Sequence, residues 1–268
     1  MTSNKILSLI VEQTNPLEAG TQAKYTIRHV DSTDGNKFIL SFPRGAYTGM
    51  RTVQKTAIVE LSSHMKRLTN SLSLIKFAPE NDDVEPEHVS NELSSFRDPT
   101  KLEEKLIPLL KTGLSSFNHD EQETKVMIIV GYSHKEQKPC FAAQFTPLSA
   151  PIQERVKVEV ENKARDTPVV KDSQWVRERA GLEKSKAKDV NEVLLTDDAG
   201  NLYEGMSSNF FAVKTGEDGT SRLLLPIKGL YFNDGSAPIL FPEASESIEF
   251  LRNQVKQEIY QRAYKILE

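Results

Sequence analysis

A chain of 268 residues is long enough for two modest domains with sizeable cores, which excludes a mini-protein held together by disulfides. Lys+Arg 34 against Asp+Glu 38 leaves a formal charge of -4, so there is no global field for wrapping nucleic acid or an anionic membrane, and any anion site must be local. At 38% hydrophobic and 27% charged residues, the composition is that of a globular rather than a disordered chain.

The single cysteine, Cys140, has no partner for an internal disulfide. The histidines His29, His64, His88, His119 and His134 lack metal-ligand spacing, so no metal site is predicted. The first twenty residues have neither signal-peptide nor transit-peptide character, and no apolar run approaches a membrane span. The expected location is the cytoplasm, with neither nucleic acid nor membrane as partner.

In chain order, Ile6–Val11, Lys24–Val30 and Lys37–Phe42 are β-prone runs separated by turn signals, among them Asp34-Gly35-Asn36. Leu61, Met65, Leu68, Leu72 and Ile75 follow helical spacing and predict an amphipathic helix with Ser62, Lys66 and Asn70 outward. The acidic stretch Pro79–Pro86 reads as a connector, and Leu102–Leu114 as a second helix interrupted only by Pro108. Val126–Val130 and Cys140–Phe145 predict buried strands joined by the turn Ser133–Lys138.

Pro147, Pro151 and the small residues between them mark a linker. The expected organisation is an N-terminal α/β domain over 1–146, a linker over 147–152 and a C-terminal domain over 153–268. Val156, Val158 and Val160 alternate with polar residues as in a half-buried strand. A helix through the core anchor Trp175 follows, with Arg177 and Arg179 on a charged face. Glu192–Leu195, the turn Asp197-Asp198-Ala199-Gly200-Asn201, Leu202–Glu204 and Asn209–Val213 then read as strand, turn and strands. Leu223–Ile227 and Leu230–Phe232 predict further strands, and Ile248, Leu251, Val255, Ile259 and Ala263 a closing amphipathic helix over Ser247–Leu267.

There is no glycine-flanked serine elbow, no histidine placed to pair with the lone cysteine and no glycine-rich phosphate loop. What remains is an ordered series: Pro168-Val169-Val170-Lys171, the strand into the Asp-Asp-Ala-Gly-Asn turn, and Tyr203-Glu204-Gly205-Met206-Ser207-Ser208-Asn209-Phe210. In the first domain, Gly45-Ala46-Tyr47-Thr48-Gly49-Met50-Arg51 is followed by His64-Met65-Lys66-Arg67-Leu68.

This series resembles the class IV aminotransferases, the pyridoxal-phosphate enzymes that include branched-chain and D-amino acid aminotransferases and aminodeoxychorismate lyase. The resemblance implies a two-domain α/β (α+β) fold with a barrel-like C-terminal domain, and pyridoxal 5'-phosphate as cofactor. It makes Lys171 the Schiff-base lysine and proton carrier, Glu204 the acid beside the pyridine nitrogen, and Arg67 the phosphate-binding fork. By the same resemblance Tyr47 lines the cofactor pocket, and Gly205, Ser207 and Ser208 bring backbone and hydroxyl donors close to ring and phosphate. It also implies a homodimer, for which the apolar residues Phe42, Ile58 and Phe77 are candidate contacts.

The sequence departs from the family after Val213. The family's phosphate-binding L-P-G turn has no counterpart, and Lys214–Gly219 runs directly into Thr220-Ser221-Arg222-Leu223-Leu224-Leu225-Pro226. The expectation is a C-terminal domain shortened by on the order of fifty residues, judged from ordinary element sizes. Two readings stay open. One is an enzyme moving an amino group between an amino acid or related amine and a 2-oxo acid, with lyase chemistry as its variant. The other is a catalytically degenerate homologue that keeps the fold for a binding role.

Overall fold

The computed structural model describes residues 8–15, 23–80, 82–117, 122–150, 156–163, 165, 167, 169–208, 212–215, 221–224 and 257–267. They belong to two compact units. The first takes Met1–Ala150, Pro168–Arg177 and Asn253–Glu268, and the second Pro151–Thr167 and Glu178–Arg252.

The first unit is built on an antiparallel sheet. In chain order its elements are β1 (Ser8–Gln13), β2 (Tyr25–Val30), α1 (Gly35–Leu40), β3 (Gly45–Val53), β4 (Ala57–Val59), α2 (Leu61–Leu74), α3 (Glu87–Arg97), α4 (Pro99–Ser116), β5 (Thr124–Ser133) and β6 (Lys138–Pro147). Two later elements of the chain, α5 (Gln174–Glu178, through Arg177) and a short strand Ala263–Lys265, also belong to it. The seven strands run in the order Ala263–Lys265, β4, β3, β5, β6, β1, β2.

Strand periodicity explains how this sheet is covered. Leu9 and Val11, Val126, Ile128 and Val130, and Phe141, Ala143 and Phe145 share one face and pack in a core with α2, α3 and α4. Ile10, Ile129, Cys140 and Ala142 point to the opposite face, where Phe38, Ile39, Phe42 and Val176 cover them. With both faces buried, β5 has no polar side to alternate with, which accounts for its continuous apolar run. Burial also pushes the Cys140 thiol up to about 12, so it stays protonated and unreactive.

Helix α2 forms where its apolar stripe predicts, burying Leu61, Met65, Leu68 and Leu72. Each of these contributes roughly 1.5–3 kcal/mol relative to an exposed side chain. Helix α4 starts at Asp98, whose carboxylate accepts from the Lys101 N–H at 2.9 Å, and continues through Pro108, which lies on its exposed side where the freed carbonyl can meet water. At Gly113 the helix meets β6, since a Cβ there would stand 1.9 Å from Cζ of the fully buried Phe145.

Four expectations need correction in this unit. Lys37–Phe42 is not a strand, because Asp34 accepts hydrogen bonds from Asn36 N and Lys37 N and caps a short helix, α1, instead of closing a hairpin. A helix not foreseen, α3, follows Pro86 and buries Val89, Leu93 and Phe96. Its Arg97 forks onto Glu85 with two 2.8 Å bonds and donates to the Leu72 carbonyl at 3.0 Å. The closing helix does not continue to Leu267; residues 257–261 are helical, but Ala263–Lys265 pairs with β4, giving that strand a second neighbour. Phe42, Ile58 and Phe77 are buried at 8%, 0% and 5% exposure, so they are core residues and not contacts for a second copy.

In the second unit, β7 (Val158–Asn162) pairs parallel with β8 (Glu192–Thr196), and β8 pairs antiparallel with β9 (Leu202–Gly205). The short helix α6 (Ala180–Ser185) precedes β8, and β10 (Ala212–Thr215) pairs antiparallel with β11 (Ser221–Leu224). With these the last strand, Ala263–Lys265, is β12. Val158 and Val160 are exposed rather than half-buried among the described residues. The predicted residues Asn209–Phe211, the end of Leu223–Ile227, the strand Leu230–Phe232 and the helix up to position 256 lie outside the described residues.

Candidate active site

Lys171 is held by its backbone against β3. The Tyr47 N–H donates to the Lys171 carbonyl at 2.9 Å, and Asp172 forms an antiparallel bridge with Ala46. Ser173 completes the attachment: its N–H donates to the Gly45 carbonyl at 2.8 Å, and its hydroxyl accepts from the Gly45 N–H at 3.0 Å. This segment occupies the edge of β3 at the end that β4 does not reach, since β4 pairs only with Thr52 and Val53. A second clamp comes from Arg44, whose guanidinium grips the Asp172 carboxylate with bonds of 2.6 and 3.0 Å. Arg177 donates to Ser173 and to the Phe42 carbonyl at 2.8 Å, so it is pinned and not part of a solvated face.

The other clamp on Lys171 is helix α2. Ser71, fully buried, accepts the Lys171 N–H at 3.0 Å and donates to the Arg67 carbonyl at 2.8 Å. The main chains of Tyr47, Lys171 and Arg67 are thereby linked within one unit, the last two through the Ser71 hydroxyl. Tyr47 and Lys171 are half-buried, while Arg67 is exposed on its helix.

One turn before Arg67, the His64 ring sits 2.9 Å from the Thr48 hydroxyl through Nδ1. Burial, reinforced by the Arg67 guanidinium and opposed by Glu60, pushes the His64 imidazole down to about 4. The ring is therefore neutral near pH 7. Arg67 carries the positive charge on this side of the helix, which suits an anion.

In the second unit, Glu204 stands opposite Leu195 in the β8–β9 ladder, with Arg165 3.7 Å from its carboxylate. The intervening turn is made by Asp197, which accepts from Ala199 N, Asn201 N and Asn201 Nδ2, and by Gly200 at φ +78°. After β9 the chain doubles back tightly, the Gly205 N–H donating to the Ser208 carbonyl at 3.0 Å. Glycine is required there, because a Cβ would meet Ser208 Oγ at 2.6 Å and its carbonyl oxygen at 2.8 Å. Ser207 donates its hydroxyl to Glu192 at 2.8 Å, and both serines are exposed. Arg179, expected on a charged face, is buried and donates to the Met206 carbonyl at 2.7 Å.

The candidates thus fall into two groups: Tyr47, Arg67 and Lys171 in the first unit, and Glu204, Gly205, Ser207 and Ser208 in the second. Sequence reasoning missed Ser71, Asp172, Ser173 and Arg165. A signal for Ser71 was present, since it lies on the buried stripe of α2 where a hydroxyl must find a partner. A shallow cavity of about 260 Å³ in the first unit is lined by Arg44, Lys76, Phe77, Tyr132 and His134 among others, and by none of the candidates. Among the described residues no cluster of His, Cys, Asp and Glu could hold a metal, and no helix is long and apolar enough to cross a membrane.

No functionally curated protein matches the chain. A fold IV transaminase from Curtobacterium pusillum is similar in structure at 16% identity and a TM-score of 0.50, over 78% of this chain and 69% of that one. A candidate branched-chain amino acid aminotransferase from Thermotoga maritima aligns at 21% identity and a TM-score of 0.46, over 79% of this chain. An aminotransferase from Brucella abortus, solved with PLP bound, aligns at 15% identity and a TM-score of 0.45, over 93% of this chain and 79% of that one. The chain spans 65% of the Thermotoga protein, less than two thirds of its length. The sequence profile of the class IV amino-transferases matches residues 45–227, which run from the first residue of β3 through Lys171 and Glu204 to beyond β11. The fold is accordingly that of these enzymes, and the chain belongs to the class IV aminotransferase family.

Proposed function

We propose that this protein is a pyridoxal-phosphate-dependent aminotransferase acting on an amino acid or related amine and a 2-oxo acid. The observation that carries the reading is the double clamp on Lys171, whose N–H and carbonyl are both engaged, by Ser71 and Tyr47, beside the helix that bears Arg67. A backbone held on both sides fixes the origin of a reactive side chain. The donor set suits the cofactor chemically: an amine, an exposed guanidinium whose charge already acts on His64, a carboxylate and two exposed hydroxyls.

When bound, pyridoxal phosphate supplies an electron sink for negative charge developing on the substrate carbon next to nitrogen. Lys171 would hold the cofactor through Nζ and would carry the proton to and from that carbon. Arg67 would bind the phosphate, Glu204 would hold the proton of the ring nitrogen, Tyr47 would line the ring, and Gly205, Ser207 and Ser208 would give the close approach and donors. The working form in this reading is a cytoplasmic homodimer, the dimer being what the resemblance implies. A lyase would use the same residues and differ only in the bond that breaks.

A non-catalytic homologue is the second reading. It draws on the departure from the family pattern after Val213, where only five residues separate β10 from β11 and no L-P-G turn follows. The test is absorbance after incubation with pyridoxal phosphate, followed by borohydride reduction and peptide mapping, with Lys171→Ala alongside. A visible band with the label on Lys171, absent from the variant, supports the enzyme and justifies a screen of amino donors. No band, or label spread over surface lysines, rejects it in favour of the second reading.

A further inference from the structure

Within α2, the hydroxyls of Ser71 and Ser73 make the same local bond, each donating to the carbonyl four residues earlier: Ser71 to Arg67 at 2.8 Å, and Ser73 to Thr69 at 3.0 Å. Only Ser71 is fully buried, and only Ser71 receives a bond from outside the helix, the Lys171 N–H at 3.0 Å across 100 residues of sequence. A hydroxyl that donates once and accepts once couples its two partners. Here the partners are main-chain atoms of the residues that carry the amine and the guanidinium.

We infer that Ser71 is a positioning residue that sets the place of Lys171 relative to Arg67, so that one buried hydroxyl registers the cofactor's attachment point against its phosphate anchor. The inference rests on the reading of Lys171 and Arg67 as the residues that bind pyridoxal phosphate. The physical reason is geometric: a cofactor held at both its phosphate and its aldehyde carbon spans a fixed distance, and any drift between the two anchors would be taken up as strain or lost affinity. Ser71 removes one freedom that would permit such drift. The attachment to β3 by Tyr47 and Ser173 fixes Lys171 to the sheet, and the Ser71 bond ties it directly to the helix.

The test compares Ser71→Ala with Ser73→Ala, which removes the same kind of intrahelical bond without the link to Lys171, and with Ser71→Thr, which keeps the hydroxyl. Three quantities are read in the full chain: amide hydrogen exchange at Lys171 without cofactor, the dissociation constant for pyridoxal phosphate, and the pH midpoint of the visible band of the bound cofactor. The expected result for Ser71→Ala is exchange at Lys171 about tenfold faster, affinity about tenfold weaker and a displaced midpoint, as loss of one buried hydrogen bond implies. Ser73→Ala should match the unsubstituted protein, and Ser71→Thr should recover at least the slow exchange. The inference is overturned if Ser71→Ala and Ser73→Ala behave alike in exchange and affinity. If borohydride fails to fix the cofactor on Lys171 in the unsubstituted chain, the functional reading falls and the inference with it, an outcome told apart because it involves no variant.

Discussion

His64 offers a test of the electrostatics of α2 that needs no cofactor. Its ring is mostly buried, accepts or donates at Thr48 Oγ1 2.9 Å away, and lies close enough to Arg67 for that charge to disfavour protonation. In the unfolded chain the imidazole titrates near 6.5, whereas in the folded protein burial first, and Arg67 second, hold it down to about 4. Below pH 6.5 the unfolded state therefore binds a proton that the folded state refuses, and stability falls as pH falls until the folded ring also titrates. Going from about pH 7.5 to about pH 5, this single group removes about 2 kcal/mol of stability. Urea unfolding at both pH values, for the unsubstituted chain and for His64→Asn, isolates the contribution from carboxylates that titrate in the same window. Asparagine keeps a polar atom near Nδ1 for Thr48 but cannot take up the proton. The unsubstituted protein should lose about 2 kcal/mol more than the variant over that interval. Equal losses would refute the assignment of His64 as a buried neutral imidazole.

The same ring reports on Arg67. Arg67→Gln should raise the His64 titration midpoint, and phosphate or pyridoxal phosphate should raise it in the unsubstituted protein if the anion binds at Arg67; a two-dimensional NMR titration of the imidazole checks both. Gly113→Ala should destabilise by about 1–3 kcal/mol despite alanine's better helix propensity, because the new methyl would overlap the Phe145 ring, and the thermal midpoint reads the sign. Gly181→Ala should do the opposite by about 0.5 kcal/mol, since that site in α6 is exposed with open space at its Cβ. Glu85→Gln should cost about 2–3 kcal/mol near neutral pH by leaving the Arg97 fork short of charge. Burial alone would raise the Glu85 carboxyl, but Arg97 and the Phe77 N–H outweigh it and hold it below the usual carboxylate range, so this stabilisation should be lost as pH falls through that depressed value.

Local signals were read correctly where one pattern had one meaning. The stripe Leu61, Met65, Leu68 and Leu72 could only be a helix of that length, and the Asp197–Asn201 turn between β8 and β9 carries its own hydrogen-bond acceptor. They misled where a pattern had two. Asp34-Gly35-Asn36 is a hairpin turn in one context and a helix cap in another, and here Phe38 and Ile39 on the helix, with Phe42 just beyond it, are buried against the sheet. Helix α3 was missed because Val89, Leu93 and Phe96 stand among polar residues directly after an acidic, proline-containing stretch.

By itself, the sequence determined the residue types and their order: a lysine, an acid, an arginine and a tyrosine in two motifs that a class IV aminotransferase profile matches over residues 45–227. It also determined the elements whose apolar spacing is unambiguous. Only the tertiary structure decided that Lys171 lies on the edge of β3, that Ser71 joins it to Arg67, that Arg177 and Arg179 are pinned to carbonyls, and that Phe42, Ile58 and Phe77 are core. The reason is that periodicity records which side of an element is buried but not against what. A hydrogen bond between residues 100 positions apart leaves no trace in either local pattern, because each partner's backbone N–H or buried hydroxyl would need some acceptor or donor wherever the chain had folded.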